Sequence, residues 1–343
     1  MAGEVTVSLD ELRRLLAQAL VRAGASAENA EPVAAALAAA EADGQAGHGV
    51  SRLPSYADQV ASGKVDGRAT PVLHRVRPGA ILVDARCGFA YPAIARGLDA
   101  AAEAAAAQGV VAVAIANSHH FGVAGHHVER MADRGLVALA FGNSPAAIAP
   151  WGGRKALFGT NPIAFACPRR GADGAPGDAL VIDLSLSKVA RGKIMVASQR
   201  GEAIPEGWAI DAEGRATTDP KAALGGAMLP MGDAKGAALA LVVEILATCF
   251  TGANFGFEAS SFFSADGPPP RVGQLFLVIA PDAFGASGFV ERVEALCAAI
   301  TAQPGARLPG TRRLDRRRRA EAEGVTLPQA AYAMLRERAG EGA

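Results

Sequence analysis

The chain reads as an α/β protein with a non-Rossmann mixed-sheet core and a helical lobe formed by both termini. Three observations predict this. Short apolar β-rich runs alternate with helical periods through the middle of the 343 residues. The stretches before and after that alternation read as helix. No strand-like run leads into a GxGxxG or GxxxxGK[ST] turn, so neither a Rossmann unit nor a P-loop is supported. The length suffices for a large core and two lobes.

The elements follow in order. Ser8 with Glu11 forms a capping box before LRRLLAQALVRAG, and Ser26 can cap a second helix that Gly44 stops. A third helix runs through RLPSYADQVASG, so the first 65 residues look helical. AILVD (80–84) is a strand, 91–109 a helix with a glycine end, and VVAVAIA (110–116) a buried strand. A helix over 125–135 and strands over 136–142, 163–168 and 179–185 come next. Helix returns over 234–252, and LFLVIAP (275–281) is a further strand. PRRGADGAPGD (168–178) and SADGPPPRVG (264–273) read as a surface hairpin or loop and a loop. The tail from about residue 285 is helical. This divides the chain into an N-terminal helical segment (1–75), an α/β cofactor- and substrate-binding core (76–284), and a C-terminal helical segment (285–343) packing with the N-terminal lobe.

Composition narrows the function. Half the residues are apolar and the formal net charge is zero, which asks for neither nucleic acid nor a membrane surface. Cys87, Cys167, Cys249 and Cys297 lack CxxC spacing and suit free thiols in a cytoplasm. The N-terminus has no signal-peptide pattern. The apolar run 238–250 contains Glu244 and is too short to span a bilayer.

Five stretches can carry chemistry. Of six histidines, four crowd into NSHHFGVAGHH (117–127). A strand, a glycine loop and a helix meet there, a layout that places backbone N–H groups before an anion; an ordinary βα turn has the same layout. Adjacent histidines diverge and no Cys or carboxylate stands at ligand spacing, so no metal is expected. GHGVSRLPSY (47–56) offers His48 as an acid/base and Arg52 as a carboxylate fork; a surface histidine and a solvated arginine have the same spacing. VIDLSLSKVARGK (181–193) ends a strand on Asp183, which could orient a histidine or cap a helix; Lys188, Arg191 and Lys193 make this edge positive. LFGTNPIAFA (157–166) supplies Thr160 and Asn161 in a turn. LPMGDAKG (229–236) opens a helix through Gly232 and Gly236, with Lys235 near its start.

Together with PWGGRKALFGTNPIAFACP, IPEGWAIDAEGRATTDP and the RLPG at 307–310, these stretches resemble the malate/L-lactate dehydrogenase family. That family includes sulfolactate dehydrogenase, ureidoglycolate dehydrogenase and the Δ1-piperideine-2-carboxylate/Δ1-pyrroline-2-carboxylate reductases. The resemblance runs over nearly the whole chain. It implies hydride transfer with NADP or NAD, NADPH favoured, to C2 of a small 2-oxo acid (malate, lactate or sulfolactate type), or to a cyclic 2-imino acid. It also implies a homodimer. Carried onto this chain, His48 and Asp183 are the catalytic pair, and Arg52 and Thr160 contact substrate. His120, Phe121, Gly122, Val123, Ala124, Leu184, Ser185, Gly232, Asp233, Lys235, Arg307, Leu308, Pro309 and Gly310 would contact cofactor. Three stretches depart from the family's pattern: Gly47 replaces a hydroxyl residue, DLSLS replaces DMATS, and GDAK replaces GG-K. The basic run Arg316, Arg317, Arg318 and Arg319 reads as a solvated helix face rather than a phosphate clamp. A zinc hydrolase built on the histidine cluster and a catalytically silent binding protein are the competing readings.

Overall fold

The computed structural model describes residues 3–171 and 174–342. Residues 172 and 173, within the expected loop 168–178, lie outside the described residues. The chain opens with β1 (Glu4–Val7), α1 (Leu9–Arg22), α2 (Ala27–Ala42), two 3₁₀ turns (Ala46–His48 and Val50–Arg52) and α3 (Leu53–Ala61). The central region follows as β2 (Val72–Arg77), β3 (Ala80–Asp84), α4 (Ala90–Gln108), β4 (Val110–Ser118), α5 (Ala124–Ala132), β5 (Val137–Gly142), β6 (Ile163–Arg170) and β7 (Pro176–Leu184). Next are α6 (Arg191–Arg200), β8 (Ala209–Ile210), β9 (Ala216–Thr217), α7 (Pro220–Gly225), β10 (Ala227–Met228) and α8 (Asp233–Glu244), which runs on into a π-helical turn (Ile245–Cys249). The last elements are β11 (Val272–Ile279), α9 (Phe289–Thr301), α10 (Thr311–Glu323), β12 (Val325–Pro328) and α11 (Gln329–Ala339).

The core sheet has the order β2-β3-β4-β11-β5-β6-β7. Only β3 and β4 pair in parallel; the other neighbours are antiparallel, so the sheet is mixed as expected. Alanines at 93, 100, 101 and 105 bring α4 close to the sheet, and a Cβ at Gly97 would lie 2.6 Å from Val113 Cγ1. The close approach of helix to sheet is therefore written in small residues. A second cluster joins α1, α2 and α3 to α10, β12 and α11 through Leu12, Leu16, Leu37, Leu53, Tyr56, Val325 and Leu335. Ser8 and Ser26 cap α1 and α2 as read, accepting from Glu11 and Asn29 amides.

The structure corrects the helical reading of the first 65 residues at one point: Glu4–Val7 is a strand, antiparallel to Val325–Pro328. Four residues are too short for periodicity to register, and the partner lies at the other end of the chain. Residues 191–228 carry no periodic run that marks an element in the sequence. They build a small lobe of α6, α7 and the sheet β10-β8-β9 around Ile194, Ile204, Ala209 and Met228. The hairpin at 168–178 is shorter than read, because β6 and β7 extend into it as far as Arg170 and Pro176.

Candidate active site

His48 and Arg52 lie on the two 3₁₀ turns between α2 and α3. Glu41 fixes this link: its Oε1 accepts the Val50 N–H at 2.7 Å, and a Cβ at Gly49 would meet that oxygen at 2.2 Å. Glycine at 49 is what lets the carboxylate reach the turn. Arg52 Nε donates to the Gly47 carbonyl at 2.7 Å, and its guanidinium lies 4.6 Å over the Phe263 ring. Arg52 Nη1 is buried with no hydrogen-bond partner among the described residues. A buried charged donor without an acceptor is costly, so this nitrogen is poised for an anion. His48 stacks on His120 with centroids 5.5 Å apart. Burial, helped by the charges of Arg52 and His126, pushes His48 down to about 4. It is a neutral imidazole at neutral pH.

The histidine-rich loop leaves β4 and enters α5. Its four histidines take four partners. His119 Nε2 meets Gln59 Oε1 at 2.9 Å, and His120 Nδ1 meets Tyr56 Oη at 2.5 Å. His126 Nε2 meets Asp43 Oδ2 at 2.7 Å, and His127 Nε2 donates to the Phe121 carbonyl at 2.8 Å. His127 thus closes the loop onto its helix. No group of three or more metal-ligating side chains occurs among the described residues. Gly122 has φ +68°, and a Cβ there would lie 2.5 Å from Tyr91 Oη.

A roof over this site was missed in the sequence. Lys64 Nζ donates to the carbonyls of Ser261, Ser264 and Asp266 at 2.8–2.9 Å, and Gln59 Nε2 donates to that of Phe262 at 2.8 Å. These bonds bring Phe262 to 5.1 Å from His119 and 5.2 Å from His120, and Phe263 against Arg52. The expected loop 264–273 carries part of this scaffold. Only its tertiary partners reveal the role, and no spacing in the sequence signals them.

Asp183 does not pair with His48: no hydrogen bond joins them among the described residues. Asp183 Oδ2 instead accepts the Gly125 N–H at 2.7 Å, at the start of α5. The bare amides at a helix N-terminus attract a carboxylate, and β7 delivers one there. Asp183 keeps part of its surface exposed to solvent although protein crowds round its carboxyl. Burial raises its pKa, the Gly125 bond opposes that, and the nearby charges are His126 and Arg313. This also revises the anion-site reading of α5, since one of its first amides is already taken.

Thr160, Leu184, Ser185 and the turn at Gly232 lie along one edge. The Leu186 amide donates to the Thr160 carbonyl at 2.8 Å, and the Met231 amide to the Leu186 carbonyl at 2.9 Å. Ser185 Oγ lies 3.1 Å from Ser187 Oγ. Gly232 and Asp233 both have positive φ, and Asp233 and Lys235 are exposed at the start of α8. Lys188 is exposed, while Arg191 Nη2 donates to the Leu224 carbonyl in the small lobe.

Arg307, Leu308, Pro309 and Gly310 line a cleft of about 560 Å³ together with Asp43, Gly44, Arg312 and Arg316. Gly310, at φ +84°, precedes α10 without a side-chain cap, so free amides face the cleft. A Cβ at Gly310 would lie 3.6 Å from the Val181 carbonyl, which places this cleft beside the end of β7. The basic run is not uniformly solvated. Arg317 turns inward with Arg313 onto Asp43 and Glu129, at 2.7–3.1 Å.

Residues 7–336 match the family described as malate/L-lactate dehydrogenase. The chain belongs to the malate/L-lactate dehydrogenase family. It is 55% identical over 330 residues, 96% of its length and 97% of the relative's, to the (2R)-3-sulfolactate dehydrogenase (NADP(+)) of Chromohalobacter salexigens. It is 41% identical over 336 residues, 98% and 96% of the two chains, to the Δ1-pyrroline-2-carboxylate/Δ1-piperideine-2-carboxylate reductase of Pseudomonas syringae pv. tomato. The crystal structure of Δ1-piperideine-2-carboxylate reductase from that organism superposes with a TM-score of 0.91 at 42% identity, covering 97% of this chain and 99% of that one.

As a member of this malate/L-lactate dehydrogenase family the chain is an NAD(P)-dependent oxidoreductase, a 2-hydroxy-acid dehydrogenase or imino-acid reductase. The residues present fit such a dinucleotide. The uncapped α10 N-terminus and free arginines of the 307–312 cleft suit its phosphates. The orphaned Arg52 nitrogen suits an acid substrate. No helix among the described residues is long and apolar enough to cross a membrane.

Proposed function

We propose that the protein interconverts a small anionic 2-hydroxy acid of the 3-sulfolactate type and its 2-oxo acid, with NADP as the preferred cofactor. The observation that carries this reading is the buried, unpartnered Arg52 Nη1 beside a neutral His48. The 55% identity to an NADP(+)-linked sulfolactate dehydrogenase supports the choice of acid and cofactor. The nicotinamide, when bound, supplies or takes the hydride at C2. Arg52 holds the substrate carboxylate and fixes where C2 lies. His48 gives the proton to the C2 oxygen in reduction and removes it in oxidation. Asp183 and His127 act at a remove, by holding the start of α5 and the loop containing His120, Phe121, Gly122, Val123 and Ala124.

The cyclic-imine alternative has its own support. Phe262 and Phe263 give the site flat apolar walls suited to a ring, and the reductase superposes closely. A panel separates the two: pyruvate, oxaloacetate, sulfopyruvate and the two cyclic imines, each with NADH and NADPH. We expect sulfopyruvate with NADPH to give the highest kcat/KM. A higher value for a cyclic imine overturns that choice of substrate in favour of the alternative. No turnover with any of them overturns both.

The protein is proposed to work as a cytoplasmic homodimer. Leu239, Leu241, Val242, Ile245 and Phe250 are exposed along α8 and its π-helical turn. An exposed apolar face of this kind calls for a cover, and a second copy supplies one.

A further inference from the structure

A buried chain of hydroxyls leads from α4 to the active-site loop. Tyr91 Oη lies 3.1 Å from Tyr56 Oη, which lies 2.5 Å from His120 Nδ1. Both tyrosines are buried, Tyr56 completely. Phe89 and the His119 ring pack on Tyr56 at 5.6 Å, and the charge that reaches both phenols is that of Arg52, which opposes the effect of burial without overcoming it. Burial pushes both phenols up, Tyr56 to about 12, and drives His120 well below its ordinary range. All three groups are therefore neutral, and a neutral imidazole carries one N–H and one bare nitrogen.

Counting the protons decides which nitrogen is which. If Tyr56 donates to His120 Nδ1, the Tyr91 hydroxyl donates to the Tyr56 oxygen and every hydroxyl proton is used. If Nδ1–H donates instead, the Tyr56 proton passes to Tyr91 and the Tyr91 proton has no acceptor among the described residues. An unsatisfied buried donor costs about 1–3 kcal/mol. The first arrangement wins, and it leaves the proton on Nε2. That nitrogen has no partner among the described residues, on a ring stacked against His48.

We propose that Tyr91 and Tyr56 form a one-way hydrogen-bond chain that locks His120 as the Nε2–H tautomer. His120 then presents a permanently neutral donor to the C2 oxygen or nitrogen that His48 protonates. Tyr56 is a positioning residue, acting only through His120. This rests on the reductive chemistry proposed above, but its first test does not, because it uses the free protein.

Long-range ¹⁵N–¹H spectra of the ¹⁵N-histidine-labelled protein at neutral pH report the tautomer of His120, assigned by its loss in His120→Gln. The expected result is protonated Nε2 and bare Nδ1 in the wild type, and a mixture in Tyr56→Phe. Protonated Nδ1 in the wild type overturns the chain whether or not the tyrosine variants fold. Kinetics then test the donor role. Tyr56→Phe should lower kcat and kcat/KM together by about tenfold, and Tyr91→Phe by about threefold, as for an interaction made in the transition state. NADPH affinity should stay within about twofold of wild type in both. An unchanged kcat in a Tyr56→Phe protein that has lost its tautomer preference overturns the donor role. So does a loss confined to NADPH affinity, which would move the acceptor from substrate to cofactor.

Discussion

Arg52 and His48 share one glycine-flanked turn, and their chemistry diverges through burial. Arg52 keeps a nitrogen that nothing among the described residues satisfies. Arg52→Lys should therefore raise KM for the acid about 10–100-fold with a smaller change in kcat, since a lysine cannot reproduce the bidentate fork. Steady-state kinetics with NADPH held saturating checks this, and an unchanged KM contradicts it. His48 sits near 4 instead of its ordinary 6.5. Oxidation needs it neutral, so kcat/KM for the hydroxy acid should stay level as pH drops past 6 and fall only through about 4. Reduction needs it protonated and should quicken over the same descent. A break near 6.5 in the oxidation profile would show that the ring is not desolvated. Both residues stand out in the sequence, because a histidine set between two glycines precedes an arginine by four positions. Phe262, Gln59 and Lys64 do not. The Gln59–Phe262 bond spans 203 residues, and no local pattern announces it.

At the scale of elements, the active-site loop is anchored from both ends of the chain. Asp43 closes α2, Glu129 lies on α5, and Arg313 and Arg317 come from α10. Burial pushes the Asp43 carboxyl up, but its hydrogen bonds to His126 and Arg317 and their charges outweigh that and hold it well below the usual carboxylate range. Asp43→Ala leaves His126 without its carboxylate and the two guanidinium groups with Glu129 alone. It should cost about 3 kcal/mol in urea unfolding, at the low end for breaking a buried pair because Arg317 is partly exposed. A loss under about 1 kcal/mol would show the network to be a surface feature. Gly122→Ala faces both a positive φ and the Tyr91 hydroxyl. It should weaken NADPH binding several-fold while the melting temperature moves little, because the strain falls on a loop and not on the core. The glycine loop was readable from its strand and helix. The charged lock was not, since the arginine run resembles any solvated helix face until Asp43 and Glu129 are brought to it.

Over the whole molecule, the alternation of strands and helices announced the mixed sheet, because its strands are apolar and adjacent elements follow one another in sequence. The terminal pair β1–β12 and the small lobe around Ile194 stayed hidden, being short and dependent on distant partners. Burying neutral histidines has a global consequence. His48 and His127 are held near 4 and His119 near 3, all below the unfolded value of about 6.5. Between about 6.5 and 4 these three rings bind more protons in the unfolded chain than in the folded one, so the stability they contribute falls as pH falls through that window, against an opposite pull from Glu41, Asp183 and Glu244, whose carboxyls burial raises. The paired carboxylates Asp43 and Glu129 lose their contribution only below it. Melting curves should show the decline beginning near pH 6, and a midpoint flat down to about pH 4.5 would contradict the burial of these rings. The central claim is that His48 moves the substrate proton and does not hold the cofactor. Its most direct test is His48→Ala, assayed for sulfopyruvate reduction beside NADPH binding by fluorescence. The expected result is a loss in kcat/KM of about 10²–10⁴-fold with NADPH affinity preserved; near-wild-type turnover would contradict it.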